Sequence, residues 1–397
     1  MFESLLPAPP DPILGLTEAF KEDPNPAKIN LGTGIYTDDN GKTPTLDCIS
    51  RSEKILAEKS TSGGGYLPMT GLAEYDRSVV ELLFGADHEM VQSGRALAAQ
   101  TPGGTGGLRV AADFIARTNP GAKLWMSNPT WANHNGIFTA AGLELGTYPY
   151  YDQESRTLAF DEMVTALKNV PAGDVVLFHA CCHNPSGMDP SPAQWEELAE
   201  LAAAQGFLPL FDFAYQGFGE GLVEDAFGLR AFAAKGIELL VASSFSKNFG
   251  LYNQRVGAMT VVAGAAEAAQ NAMSHVKLCI RTNYSNPPAH GARLVATVLA
   301  DAELRTIWEQ DVATMRNRIN SMRRLFVETM AAKTDKADFS FVATQRGMFS
   351  FSGLSKEQVL EIREKHSVYI VGSGRISIAG ITSANIEPLC NALASVL

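Results

Sequence analysis

The sequence predicts an α/β protein, a large domain with a mainly parallel sheet flanked by helices plus a smaller α+β domain. Three observations carry this. Short apolar runs alternate with helical stretches from about Pro44 to Asp301; a long amphipathic stretch follows them; and 397 residues exceed the ~150 of an ordinary domain. At 46% hydrophobic and 19% charged, the composition suits a large buried core and not a disordered or coiled-coil chain.

Taken in order, residues 1–10 hold Pro7, Pro9 and Pro10 and little periodicity, as in an extended arm that embraces a partner subunit. Residues 11–43 are rich in turn formers, Asp23-Pro24-Asn25-Pro26 and Asp38-Asp39-Asn40-Gly41, around the short apolar Ile29-Asn30-Leu31. Across 44–313, the runs Lys123 to Ser127, Val175 to His179, Phe207 to Phe211, Leu239 to Ser243 and Ala258 to Val262 are too short for independent helices. Flanked by Gly, Pro, Asn or Asp, they read as strands of the sheet. Leu304, Trp308, Val312, Met315, Ile319, Met322 and Phe326 then recur every three or four positions, one helix of about thirty residues that can link two domains. Within 314–397, Phe339 to Val342, Met348 to Phe351, Lys356 to His366, Val368 to Val371 and Ile376 to Ile378 suit the smaller domain, completed by 11–43. No internal repeat or low-complexity tract appears.

Forty-three acidic against thirty-two basic residues leave a net charge of −11. That argues against nucleic acid or an anionic membrane as partner, but not against a small anion held by a few arginines. The apolar runs fall far short of the ~20 residues that span a bilayer. Five cysteines, two of them adjacent, imply no disulfide framework and suit a reducing compartment. The start Met1-Phe2-Glu3-Ser4-Leu5-Leu6-Pro7 lacks the basic region of a secretory signal, so a cytoplasmic location is expected.

Three segments carry chemistry. Gly103-Gly104-Thr105-Gly106-Gly107 opens a helix, where free N–H groups and the helix dipole suit a phosphate. It matches neither the P-loop nor the dinucleotide pattern, since no Lys-Ser/Thr follows and Pro102 does not end a hydrophobic strand, so a plain glycine-rich turn stays open. Asp212 closes an apolar strand, with Tyr215 three residues on; ligands of open parallel sheets bind at such ends, although capping of the next helix is an alternative role. In Ser244-Phe245-Ser246-Lys247, a desolvated lysine at a strand end can attack a carbonyl and form an imine, while Ser244, Ser246 and Arg255 can bind a phosphate dianion. Alone, Lys247 could be a surface lysine. Together these are the parts that hold pyridoxal 5′-phosphate: lysine for the aldehyde, aspartate for the ring nitrogen, helix start for the phosphate. A metal or redox reading of Cys181-Cys182-His183 is set aside, because adjacent strand residues face opposite sides and no second cluster completes a site.

The motifs Asn30-Leu31-Gly32-Thr33-Gly34-Ile35-Tyr36, Thr101-Pro102-Gly103-Gly104-Thr105-Gly106, Cys181-Cys182-His183-Asn184-Pro185-Ser186-Gly187, Asp212-Phe213-Ala214-Tyr215-Gln216-Gly217, Ser244-Phe245-Ser246-Lys247-Asn248-Phe249 and Arg281-Thr282-Asn283-Tyr284-Ser285-Asn286-Pro287-Pro288 resemble the aspartate/aromatic aminotransferases of class I, from Phe2 to Leu397. The resemblance implies the fold of type I pyridoxal-phosphate enzymes, with a seven-stranded sheet. It makes Lys247 the imine-forming lysine and proton shuttle, Asp212 the partner of the ring nitrogen, Asn184 and Tyr215 hydrogen-bond donors to the phenolic oxygen, and Trp131 a stacking face. His134 and His179 would support Asp212. Gly103, Gly104, Thr105, Ser244, Ser246 and Arg255 would bind the phosphate, joined by Tyr66 from the other subunit of a homodimer. Arg375 would clamp the substrate α-carboxylate, helped by Asn184 and the backbone at Gly34, and Arg281 of the other subunit the distal carboxylate. No metal is implied, and the Asn184–Pro185 bond would be cis.

Aspartate:2-oxoglutarate transamination is the expected main activity, with aromatic amino acids as side substrates and an aromatic aminotransferase as the alternative. Arg281, Thr43, Thr105 and Asn286 match aspartate enzymes; Thr37 and Gly65 depart from their lysine and asparagine, and Tyr66-Leu67-Pro68-Met69 and Leu83-Phe84-Gly85-Ala86-Asp87-His88 look more like the aromatic ones. A phosphate-binding protein without covalent chemistry, or a β-lyase or decarboxylase using the same cofactor, are the rival classes.

Overall fold

The computed structural model describes residues 2–7, 14–59 and 65–397. Residues 1 and 8–10 of the expected arm lie outside them; within the arm, Phe2, Leu5 and Leu6 are exposed. The chain divides into a large unit, Pro44–Asn184 with Met188–Asn317, and a small unit, Met1–Thr43 with Pro185–Gly187 and Arg318–Leu397. The small unit thus resumes at Arg318 and not at 314, and takes in three residues from mid-chain.

The large unit is built on a seven-stranded sheet. Its strands are β1 (Ala96–Pro102), β2 (Lys123–Asn128), β3 (Glu144–Pro149), β4 (Val175–His179), β5 (Leu208–Phe213), β6 (Leu239–Ser244) and β7 (Val256–Val262). They lie in the spatial order β1-β7-β6-β5-β4-β2-β3. Strand β7 is antiparallel to both neighbours and every other pairing is parallel. The helices that matter here are α1 (Gly103–Thr118), α2 (Asn133–Ala140), α3 (Ala266–Asn283) and the long α4 (Ala302–Lys333).

Strands β4 to β6 are buried along almost their whole length, which is why they read as unbroken apolar runs. The two-residue alternation of a strand then sorts their side chains. Leu177, Leu210 and Leu240 join a core with Leu108, Ala111 and Ile115 of α1 and Met273, Val276 and Ile280 of α3. Phe178 and Phe211 take the opposite face, where they meet Trp195 and Phe232 with ring centroids 5.1–6.2 Å apart.

Two strands of the seven-stranded sheet have no counterpart among those expected from sequence. The Ala-Leu-Ala-Ala-Gln-Thr-Pro of β1 has three alanines and a proline among its seven residues, and the Glu-Leu-Gly-Thr-Tyr-Pro of β3 is a half-exposed edge, so neither carries the β-branched apolar signal of the central strands. Pro102 therefore does end a strand, at the sheet edge where a proline costs no ladder bond.

In the small unit Ile29–Asn30 pairs in parallel with Val368–Tyr369, and Phe349–Phe351 pairs antiparallel with Arg375–Ser377. Helix Lys356–His366 starts at a capping box of Ser355 and Gln358 and stops where Ser367 turns left-handed at φ 54°. Residues Ser340–Thr344 form a 3₁₀ helix where the apolar pattern suggests a strand. Asp338 explains this, since its carboxylate accepts from both the backbone N–H and the hydroxyl of Ser340 at 2.8 and 2.7 Å, a local bond that competes with sheet pairing. Among the described residues no helix is long and apolar enough to cross a membrane.

Candidate active site

Register brings the chemistry-bearing residues together. At the carboxyl ends of the parallel strands His179 lies beside Asp212, Asp212 beside Ala242, and Phe213 beside Ser243, the edge where open α/β sheets bind ligands. Asp212 is 8% exposed. His134, from α2, donates from Nε2 to its Oδ2 at 3.1 Å. Burial alone would raise the Asp212 carboxyl, but the His134 hydrogen bond, with the neighbouring histidines and Lys247, holds it below its ordinary value. It is therefore a carboxylate at neutral pH.

Behind Asp212 the hydrogen-bond network assigns every proton. The backbone N–H of Asn184 donates to Nδ1 of His179 at 3.3 Å, so that nitrogen is an acceptor and the ring proton sits on Nε2. Nε2 faces the Thr130 hydroxyl at 3.1 Å and donates to it. The Thr130 proton is then free for Nδ1 of His134 at 2.8 Å, which leaves His134 Nε2–H for Asp212. His179 is buried, and burial with the neighbouring His134 pushes it down to about 3, so it stays neutral. Thr130 is absent from the residues expected from sequence; its only local signal is the polar run Ser127-Asn128-Pro129-Thr130 that ends and follows β2. His183 is also buried, bonded to Ser127 at 3.0 Å and stacked on Tyr150 at 3.8 Å.

A second cluster forms where α1 begins. A Cβ on Gly104 would come within 2.9 Å of the Ser244 Cβ, one on Gly103 within 2.5 Å of the Arg255 guanidinium, and one on Gly257 within 2.4 Å of the Gly103 carbonyl carbon. The helix start, strand β6 and Arg255 thus pack as closely as glycine allows. Ser244 and Ser246 bond through their hydroxyls at 3.2 Å, and Arg255 Nη1 donates to Ser246 Oγ at 3.4 Å. Thr105 lies in the first turn of α1. Hydroxyls, a guanidinium and free N–H groups of a helix start make an anion cradle.

Lys247 lies in the turn after β6 with its Nζ 4.5 Å from the centroid of the buried Tyr215 ring. That turn is pinned from both sides: Asn248 Nδ2 donates to the Gln216 carbonyl at 3.2 Å, Trp308 Nε1 donates to the Asn248 carbonyl at 2.7 Å, and Trp308 stacks on Phe249 at 4.5 Å. Trp131 packs edge-on against His134, ring centroids 5.2 Å apart.

The remaining predicted residues have contacts of their own within each unit. In the small unit Arg375 is buried, donating to the Gly32 carbonyl at 2.6 Å with its guanidinium 4.1 Å above the Phe349 ring. A Cβ on Gly34 would touch the same ring at 3.0 Å. In the large unit Tyr66 is 95% exposed. Arg281 is exposed on the last turn of α3, bonded to Ser285 in a groove shared with Arg109, Asp113 and Arg117.

Two expectations at the Asn184 turn are corrected. Cys181 and Cys182 lie beyond the end of β4, and their sulfurs gather with an Asp225 oxygen, all within 4.8 Å; they do not point to opposite faces. The Asp225 oxygens are already committed, accepting from the backbone N–H groups of Gly217, Gly219, Glu220 and Gly221, so the carboxylate anchors that loop. Cys182, at φ 52°, and His183 donate their N–H groups to Asp189 at 2.7 and 2.9 Å, which shapes the turn presenting Asn184. The Asn184–Pro185 bond is not cis; the cis bond among the described residues is Asn128–Pro129. Both are Asn–Pro, so the dipeptide itself does not distinguish them.

These residues fit pyridoxal phosphate: an ionised carboxylate for a ring nitrogen, an amine over Tyr215, an aromatic face and an anion cradle. The fold and this set of groups define a transferase that works through an imine-forming cofactor. The family model for aminotransferase class I and II matches residues 26–393, and the chain belongs to that family. It is similar to the aspartate aminotransferase of Escherichia coli K12, 55% identical over 397 residues and 100% of both chains. The aromatic-amino-acid aminotransferase of the same organism is 43% identical over 100% of both chains. Among solved structures it is similar to the aromatic-amino-acid aminotransferase from Burkholderia pseudomallei covalently bound to pyridoxal phosphate, with a TM-score of 0.97 at 46% identity over 100% of this chain and 99% of that one.

Proposed function

We propose that the chain catalyses pyridoxal-phosphate-dependent transamination, converting L-aspartate and 2-oxoglutarate to oxaloacetate and L-glutamate by a ping-pong mechanism, with side activity on aromatic amino acids. The observation that carries it is the ionised Asp212 held by His134, at the strand ends that also position Lys247; the 55% identity to an aspartate aminotransferase supports the substrate.

The cofactor, when bound, supplies an aldehyde and a ring that withdraws charge from the substrate Cα. Asp212 keeps a positive charge on the ring nitrogen, and Asn184 and Tyr215 donate to the phenolic oxygen. The Gly103 and Gly104 helix start, Thr105, Ser244, Ser246 and Arg255 hold the phosphate, and Trp131 covers the ring face. Lys247 Nζ would carry the proton between the substrate Cα and the cofactor's aldehyde carbon C4′. Arg375 takes the α-carboxylate as a bidentate pair, with the backbone at Gly34. The enzyme acts as a cytoplasmic homodimer in which Tyr66 and Arg281 of the partner subunit complete the phosphate and distal-carboxylate contacts; the exposed Tyr66 supports a role across an interface.

The test is the half-reaction with aspartate, followed by absorbance as the cofactor passes to its pyridoxamine form. Wild type should complete it and Lys247→Ala should not. Phenylalanine winning over aspartate by about tenfold in kcat/KM, roughly 1.4 kcal/mol of transition-state preference, reverses the substrate assignment.

A further inference from the structure

One residue links the segments that carry Tyr66 and Arg281. Gln100 lies on β1, 1% exposed, three positions before the Gly103 helix start and opposite Ala258 of β7. Its backbone N–H donates to the Thr70 carbonyl at 2.8 Å, which ties it to the segment running on from Tyr66. Its side chain presses on Gly71, where a Cβ would fall 2.4 Å from Gln100 Oε1 and φ is +93°, so that turn is shaped around the amide. On the other side Gln100 Nε2 donates to the Pro288 carbonyl at 2.6 Å, and the Tyr284 hydroxyl donates to the Gln100 carbonyl at 3.3 Å. Tyr284 follows α3, and within the same loop the Ser285 and Asn286 N–H groups fold back onto Ile280 and Tyr284. The loop that follows the Arg281 turn of α3 is therefore fastened at Tyr284 and at Pro288 to one buried glutamine.

We infer that Gln100 is a positioning residue that holds the Tyr66 segment and the Arg281 loop in one frame, so that a subunit presents both groups to its partner in fixed relation. This rests on the roles proposed above for Tyr66 and Arg281. Gln100 touches neither substrate nor cofactor; it acts through backbone and hydroxyl contacts on both sides. A rigid frame matters because carboxylate recognition by a guanidinium is bidentate and loses its advantage when the fork is displaced by about an ångström. An amide suits this role. A hydrophobic residue of the same size would fill the space but leave the Pro288 carbonyl without its donor.

The test compares single-turnover half-reactions of the dimeric holoenzyme with aspartate, which has a distal carboxylate, and phenylalanine, which lacks one. Gln100→Leu is expected to raise the apparent dissociation constant for aspartate about tenfold and that for phenylalanine less than about threefold. Maximal rates should change little and pyridoxal phosphate should dissociate faster, because Tyr66 is displaced too. Tyr284→Phe, a milder change that removes only one fastening, should weaken aspartate binding by about two- to fivefold with cofactor release unchanged. Arg281→Ala separates this inference from the reading beneath it. An unchanged aspartate-to-phenylalanine ratio in Arg281→Ala overturns the clamp assignment and with it the carboxylate half of the inference. A changed ratio there, combined with equal losses on both substrates or none in Gln100→Leu and Tyr284→Phe, overturns the role of Gln100 alone.

Discussion

Thr130 has one hydroxyl and serves two histidines, accepting from His179 and donating to His134. A valine there keeps the shape and removes the hydroxyl, leaving two buried ring nitrogens without partners at a cost of about 1–3 kcal/mol. Thr130→Val should still fold, and its kcat/KM for aspartate should fall by about tenfold as Asp212 loses its fixed donor; steady-state kinetics alongside a melting curve check both halves. Asp212, Lys247 and Tyr215 are legible in sequence because each sits at a fixed offset from an apolar strand that reads clearly. Thr130 is not, since its meaning comes from His179, 49 residues away. Gln100 is similar: nothing local marks it among the alanines of β1, and its ties reach Pro288 and Tyr284, 188 and 184 residues distant.

Elements set how closely the cradle can close. Strand β7 meets the start of α1 at Gly257, where a Cβ would lie 2.4 Å from the Gly103 carbonyl carbon, and backbone on both sides leaves nothing flexible to yield. Gly257→Ala should cost about 2–4 kcal/mol of stability and loosen the phosphate site; a lower melting temperature and cofactor lost on gel filtration are the readouts. The helix Ala73–Phe84 carries a different liability in Asp76. Burial pushes its carboxyl up to about 8 from 3.8, helped by Glu74 and opposed by hydrogen bonds from Gln100 and Thr70. Between those two values the folded chain keeps a proton that the unfolded chain has released, so this residue's contribution to stability is fullest at low pH and declines as pH rises toward 8. Asp76→Asn should flatten that decline, measured as denaturant midpoints from pH 5 to pH 8. Strong apolar periodicity made the central strands and the long helix legible. The alanine-rich β1, the exposed β3 and the 3₁₀ turn after Asp338 were hidden because pairing partners and one local side-chain bond, not composition, decide them.

Across the whole molecule, the net charge of −11 argues against broad anionic partners yet says nothing of a ligand met by a few guanidiniums. If sites are shared between subunits, homodimers of Lys247→Ala, inactive, and of Arg281→Ala, poor on aspartate, should complement when mixed. Random reassociation gives half hybrids, each with one intact site, so about a quarter of wild-type aspartate activity should return; no recovery after verified subunit exchange argues against shared sites. The sequence by itself determined the α/β class and the cofactor and proposed the residues that would meet it, because glycines, strand ends and a lysine–hydroxyl run are local signals that survive without coordinates. Only the tertiary structure decided which proton faces which nitrogen behind Asp212, which Asn–Pro bond is cis, and where Gln100 fastens two loops. The proton assignment and the Gln100 ties depend in part on groups 49 and 188 residues apart brought within bonding distance by the sheet, and one-dimensional pattern carries no record of such neighbours.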